Sequence, residues 1–95
     1  MAYRDKKDAR ASDRRRYLEK RAWMWALKNV PCADCGYHYP PECMDFDHVR
    51  GRKKFAVAQN LTRTMASLKR EVAKCEVVCA NCHRTRTHRR RRNGS

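Results

Sequence analysis

Two Cys-x-x-Cys pairs, Cys32-Ala33-Asp34-Cys35 and Cys79-Ala80-Asn81-Cys82, stand 43 residues apart in the chain. No other feature limits the possible folds as much. Paired knuckles can bring four thiolates to one tetrahedral zinc ion. The chain has 95 residues, so one small domain is expected. A domain of that size buries a limited core and needs a staple. A structural zinc contributes on the order of 10–16 kcal/mol of apparent binding free energy to folding. The metal-free chain is therefore expected to be unfolded or molten through residues 31–83. Zinc held by four sulfurs has no open position, so it supports structure and does no chemistry. That leaves Asp47-His48, between the knuckles, and His83, directly after the last cysteine, without a part in the zinc site. A carboxylate and two imidazoles brought together suit hydrolysis assisted by a second metal ion.

The net charge of +14 sits at the two ends. Residues 1–30 carry ten Lys and Arg against four Asp and Glu, and residues 81–95 carry six Arg and no acid. Residues 31–80 are nearly balanced, with eight bases against six acids. Clustered positive charge is the electrostatic footprint of a nucleic-acid binder. The basic stretches lack a broad apolar face, which argues against a membrane surface. There is no apolar signal region and no run of transmembrane length, so a cytoplasmic protein is expected. In a reducing compartment six cysteines, four of them paired in knuckles, favour metal over disulfides. A redox motif needs only one such pair. Cys79–His83 also matches the pattern of haem attachment, but that goes with export.

The local pattern reads as follows. Residues 5–29 contain no Gly or Pro and form one helix, polar in its first half. Its second half carries stripes through Leu18, Ala22 and Trp25 and through Trp23, Leu27 and Val30, which dock on the zinc module. Residues 1–30 are thus a basic arm and residues 31–92 the stapled unit, within one structural domain. Pro31 ends the helix. Met44–Arg50 alternates like a strand, with Met44, Phe46 and His48 on one face and Asp45, Asp47 and Val49 on the other. Gly51–Lys54 is a basic turn, and Phe55–Gln59 a short strand. Leu61–Ala73 is a helix with Leu61, Met65, Leu68 and Val72 on one side. Cys75–Cys79 is the second strand, and residues 80–92 form a helix that is basic all round, with Asn81 as its N-cap. Cys43 and Cys75 are expected as small buried thiols, and Trp23 and Trp25 as packing residues.

A knuckle, an Asp-His pair in a strand, and a strand running into CxxCH resemble the zinc-containing HNH endonucleases. The runs MDFDHV and KCEVVCANCHRTRT are most similar to the small HNH proteins of phages and prophages, and the resemblance spans roughly residues 31–88. It implies a small α+β fold: a ββα-metal unit, two strands and a helix around one divalent ion, here with a four-cysteine zinc staple and a long basic N-terminal helix. It places the general base on His48, the metal ligands on Asp47 and His83, and the structural zinc on Cys32, Cys35, Cys79 and Cys82. The family's middle Asn falls on Lys74, which cannot accept a hydrogen bond but can meet a phosphate. The residue that orients the base is left unassigned.

The chemistry is coherent on its own terms. A neutral imidazole titrates near the working pH and suits a general base. One Asp and one His leave room on an ion for phosphate and water. As an oxygen–nitrogen pair they suit Mg²⁺, Mn²⁺, Ni²⁺ or Zn²⁺. Arg84, Arg86, Arg89 and Arg90, with Lys74, Arg52, Lys53 and Arg14, Arg15 and Arg16, are candidates for phosphate contacts. The expected activity is nicking of duplex DNA by a monomer, in phage DNA processing beside the packaging proteins. The alternative is a zinc-ribbon DNA-binding protein without catalysis, which gives Asp47, His48 and His83 no task.

Overall fold

The structure, a computed structural model, describes residues 6–93. Helix α1 runs Lys6–Lys28. The expected start of this helix at residue 5 lies outside the described residues. At its other end the Asn29 amide closes on the Ala26 carbonyl at 3.2 Å, and Pro31 follows. Strand β1, Met44–His48, pairs antiparallel with β2, Cys75–Cys79, in the register Met44↔Cys79 to His48↔Cys75. Helix α2, Met65–Val72, lies in the connection between them. Helix α3, Ala80–Arg92, starts directly where β2 ends. The described chain is thus a small α+β protein with three helices and a two-stranded antiparallel sheet.

Two apolar clusters hold these elements. One joins Met24 of α1 to Leu68 of α2 and to Val57 and Leu61 of the loop before it, with Trp23, Trp25, Phe46, Phe55 and Val72 packed against them. The second contains Cys32, Met44, Val78 and Cys79, flanked by Tyr39, Val77 and Cys82. Here cysteines stand where a larger domain would place aliphatic side chains. The second half of α1 does dock on the core, but through Met24. Leu18 and Val30, expected in the stripes, remain 46% and 39% exposed. The two tryptophans flank Met24 as packing residues. Lys20 Nζ adds a tether, donating to the Arg63 carbonyl at 2.7 Å.

Several local expectations are corrected. Phe55–Gln59 is not a strand: Val57–Gln59 is a single 3-10 turn. The two-stranded sheet gives it no partner. Instead Val57 sinks into the core, 2% exposed, and Asn60 Nδ2 closes the turn on the Ala56 carbonyl at 2.7 Å. Helix α2 starts at Met65, not Leu61, because Thr64 caps it by accepting from the Ser67 amide at 3.2 Å. Leu61 reaches the core from the preceding loop. The N-cap of α3 is Cys79, not Asn81: its sulfur accepts from the Cys82 amide at 3.4 Å. Cys43 is exposed and Cys75 only half-buried. Strand β1 ends two residues early, because the Val49 and Arg50 amides both turn onto the Lys74 carbonyl, at 2.8 and 3.1 Å. Gly51, at φ 64°, completes that turn in a conformation that favours glycine.

Truncating Leu68, which is fully buried, is expected to lower stability by about 2–5 kcal/mol. Truncating the exposed Leu18 should change it by no more than about 0.5 kcal/mol. Urea unfolding of the zinc-loaded protein measures both. Stripping the metal from the cysteine cluster should abolish near-ultraviolet dichroism, since the second apolar cluster is built on those sulfurs.

Candidate functional site

The four sulfurs of Cys32, Cys35, Cys79 and Cys82 all lie within 4.8 Å of one another. Around a tetrahedral zinc with bonds of about 2.3 Å, neighbouring sulfurs are roughly 3.8 Å apart. The cluster is thus gathered close to coordination spacing, and it could hold a metal ion. The backbone supports it. The amides of Asp34 and Cys79 donate to Cys32 Sγ at 3.4 and 3.3 Å. Gly36, at φ 77°, lets the first knuckle fold back, with its amide on the Cys32 carbonyl at 2.9 Å. Burial acts to raise the Cys32 pKa, but amide hydrogen bonds from Cys35, Cys79 and Asp34 outweigh it and bring it down to about 6. Cys75, outside the cluster, is pushed up to about 11 by burial and by the carboxylates of Glu71 and Asp47, so it stays a thiol. Donor chemistry, spacing and support all fit structural zinc.

A second constellation joins α3 to β1. His83, Arg86 and Arg90 recur on one side of α3. They meet Asp45 and Asp47, which share a face of β1. His83 Nδ1 is 2.9 Å from Asp45 Oδ2, and His83 Nε2 is 3.6 Å from Asp47 Oδ1. Arg90 grips both oxygens of Asp47 at 2.8 Å, and Arg86 takes Oδ2 at 2.8 Å. Arg86 also reaches Asp34 at 2.6 Å and Glu76 at 3.0 Å. Asp47 is 3% exposed. Burial favours its neutral form, but the hydrogen bonds from Arg90 and Arg86 prevail and hold its pKa down at about 2.

This arrangement can be tested for fit to a second ion. A carboxylate accepts and does not donate. The bond to Asp45 therefore puts hydrogen on His83 Nδ1, and in a neutral ring Nε2 would be the bare nitrogen toward Asp47. In that neutral form two lone pairs would face each other at 3.6 Å, a contact that a shared cation would relieve. Two ligand atoms each about 2.1 Å from one ion, roughly 120° apart, are separated by about that distance. A carboxylate behind a ligating imidazole is also the usual device for orienting it. The Asp47–His83 spacing alone is thus that of two ligands on one ion, while among the described residues only the four cysteines bring three or more possible ligand atoms together. An ion there competes with the Arg90 guanidinium for Asp47 Oδ1.

His48, the last residue of β1, faces the other way, as strand alternation requires. Its Nε2 is 2.9 Å from Glu71 Oε2 on α2. Glu71, 1% exposed, also accepts from the Lys54 amide and from Lys74 Nζ, both at 2.9 Å. Burial would raise its pKa, but those donors outweigh it and hold it at about 2. Because His48 ends its strand, it still reaches the hollow that Asp45 and His83 line. A hollow of about 260 Å³ is lined by Asp45, His48 and His83 together with Phe46, Lys28 and Lys53. A second hollow of about 480 Å³ shares Asp45 and His83 and continues along α3 past Arg84, Thr87, His88 and Arg91. Lys28 Nζ lies 5.3 Å from the Phe46 ring centre, so α1 contributes a cation to the first hollow. Burial lowers the Lys28 pKa, and Asp45 opposes that.

The structure therefore brings Asp47 and His83 together and sets His48 in the adjoining hollow. Arg14, Arg15, Arg16, Arg52, Lys53, Arg84 and Arg89 are exposed. Arg86, Arg90 and Lys74, expected to meet phosphates, instead engage the chain's own carboxylates. Lys74 also donates to the Arg52 carbonyl at 2.7 Å. Asp45, Glu71 and Lys28 were not singled out by sequence. Alternation placed Asp45 beside Asp47, and helical phase from Leu68 would have turned Glu71 inward. Nothing local marked Lys28. Comparison of the chain with family models, with curated proteins and with solved structures gives no match in any of the three.

Depressed carboxylate pKa values imply a signed pH effect. The stabilisation by ionised Glu71 is complete above its ordinary value of 4.5 and is lost as pH falls toward about 2. The stability difference between wild type and Glu71→Gln should therefore shrink as pH falls from about 5 toward about 2, measured by urea titration of zinc-loaded protein.

Proposed function

We propose that this chain is a metal-dependent DNA endonuclease of the HNH type. The observation that carries the reading is the meeting of Asp47 and His83, far apart in sequence, at 3.6 Å beside the hollow that His48 lines. The order β1, β2, α3, with the Asp-His pair ending the first strand and His83 in the first turn of the helix, supports it. So do the motif resemblance and the net charge of +14.

The roles follow from the residues. Lys28 and Lys53 line the hollow that would take the scissile phosphate, and Arg84 and Arg91 line its continuation. His48 accepts the proton of the attacking water. Asp47 and His83 would hold the divalent ion, which would supply charge relief to the phosphodiester. Exposed Arg14, Arg15, Arg16, Arg52 and Arg89 bind flanking phosphates. One site cuts one strand per visit, so a monomer nicks. The setting in phage DNA processing, in the host cytoplasm and beside packaging proteins, rests on the motif resemblance. No helix among the described residues is long and apolar enough to cross a membrane.

One observation favours the alternative of a non-catalytic zinc-ribbon DNA-binding protein. The Asp47 carboxylate is already neutralised by Arg86 and Arg90, as a purely structural carboxylate would be.

Two measurements decide, and a third tests DNA binding under either reading. Supercoiled plasmid incubated with the protein and Mg²⁺, Mn²⁺, Ni²⁺ or Zn²⁺ should give nicked circles. His48→Ala should cut at least about 100-fold more slowly with zinc content unchanged. A folded, zinc-loaded wild type that cuts with none of these ions removes the main support. Calorimetric titration with Mn²⁺ should show a site that Asp47→Ala lacks, and equal binding by both proteins supports the binding module. DNA affinity should fall with salt at a log–log slope of about −5 to −9, corresponding to some six to ten phosphates.

A further inference from the structure

The buried carboxylate of Glu71 serves neither the cysteine cluster nor the Asp47–His83 pair. It sits on the inward side of α2 between Leu68, which is fully buried, and Val72, which packs against the core. An apolar side chain would suit that position, and a buried carboxylate persists only where donors satisfy it. Glu71 has three: Lys74 Nζ on Oε1, and the Lys54 amide and His48 Nε2 on Oε2. Two of these belong to the turn that follows β1 and to the end of α2. The third is the ring that the nuclease reading makes the base.

Building on that reading, we propose that Glu71 is the positioning residue of the general base, fixing His48 as the tautomer with hydrogen on Nε2. An ionised carboxylate can only accept, so the 2.9 Å contact requires the hydrogen on Nε2. Nδ1 is then the one ring nitrogen with a lone pair for water in the hollow. In the hydrolytic step Nδ1 takes a proton from water as the water oxygen bonds to phosphorus. The bond from phosphorus to the 3′ oxygen breaks, and that oxygen leaves with a proton from solvent. His48, then protonated on both nitrogens, is stabilised by the Glu71 charge until it returns its proton to solvent. Glu71 touches no substrate and acts through His48.

The alternative role for Glu71 is to tie the 51–54 turn to α2 through Lys74 and the Lys54 amide. The experiment separates the two. Imidazole ¹⁵N spectra of zinc-loaded protein, with no other divalent ion and the ring neutral, should show His48 protonated on Nε2. Glu71→Ala should give a tautomer mixture. In plasmid nicking, Glu71→Ala should lower kcat by roughly 100-fold with KM changed less than about twofold. Glu71→Gln should fall between it and wild type, and carries the comparison if the alanine variant fails to fold. Val72→Ala, which loosens the packing of the same turn of α2 and removes no hydrogen bond to Glu71 or His48, should keep the wild-type tautomer and most of kcat. A wild-type His48 protonated on Nδ1 overturns the proposal. So does an unchanged kcat in a folded Glu71 variant, or a loss in Val72→Ala as large as in Glu71→Ala. A wild type that cuts nothing, yet shows the Nε2 tautomer, overturns the nuclease reading and with it the catalytic role of Glu71.

Discussion

Helix α3 has no apolar side on which to pack, and none of the residues in Ala80–Arg92 is buried. It is held by sulfur at its first turn, through Cys82, and by carboxylates along one stripe. Asp45, Asp47, Asp34 and Glu76 take up His83, Arg86 and Arg90. The meeting of His83 with Asp47 follows from this docking. Ion pairs of this sort are weak at a surface. Asp47, however, is buried and accepts several guanidinium hydrogen bonds, so leaving it unpaired would be strongly destabilising. The cysteine cluster fixes the start of the helix, and the charge stripe fixes its direction.

The basic residues thereby divide into two populations. Arg86 and Lys74 are partly buried and neutralised within the chain. Arg84, Arg89, Arg91 and Arg92 stand in solvent. Salt screens exposed charges over about a Debye length but reaches partly buried pairs much less. Rising ionic strength therefore screens the field of the exposed arginines well before it loosens α3. Arg90 sits on the border: its side chain is 47% exposed, yet it chelates Asp47.

The cysteine spacing announced the sulfur cluster, because few physical arrangements satisfy two knuckles in a small domain. The strands and α3 were legible for similar reasons: β-branched Val77 and Val78 favour extension, and no breaker interrupts residues 80–92. The 57–59 turn was misread as a strand because a short aromatic and aliphatic run has no period of its own, and only a missing partner strand excludes it. The cap of α3 was misplaced because a cysteine sulfur, and not an amide, accepts the first backbone hydrogen bond. Within the candidate site, Asp47, His48 and His83 stood out through their motifs. Asp45 and Glu71 did not, since in a chain this basic an acidic residue looks like a solvated counter-charge. Lys28 depends on how α1 crosses the sheet, which no local pattern encodes.

Helix α1 is one unbroken element of 23 residues, hence about 35 Å long, close to one turn of B-form duplex. Met24 and Lys28 root one end beside the hollow, while Arg14, Arg15 and Arg16 ride further along the same shaft. The shaft therefore sets the distance between the arginines and the hollow. One residue inserted between positions 16 and 24 would swing the arginine end by about 100° and lengthen the span by about 1.5 Å. The spacing between those arginines and the hollow is thus written into helical phase.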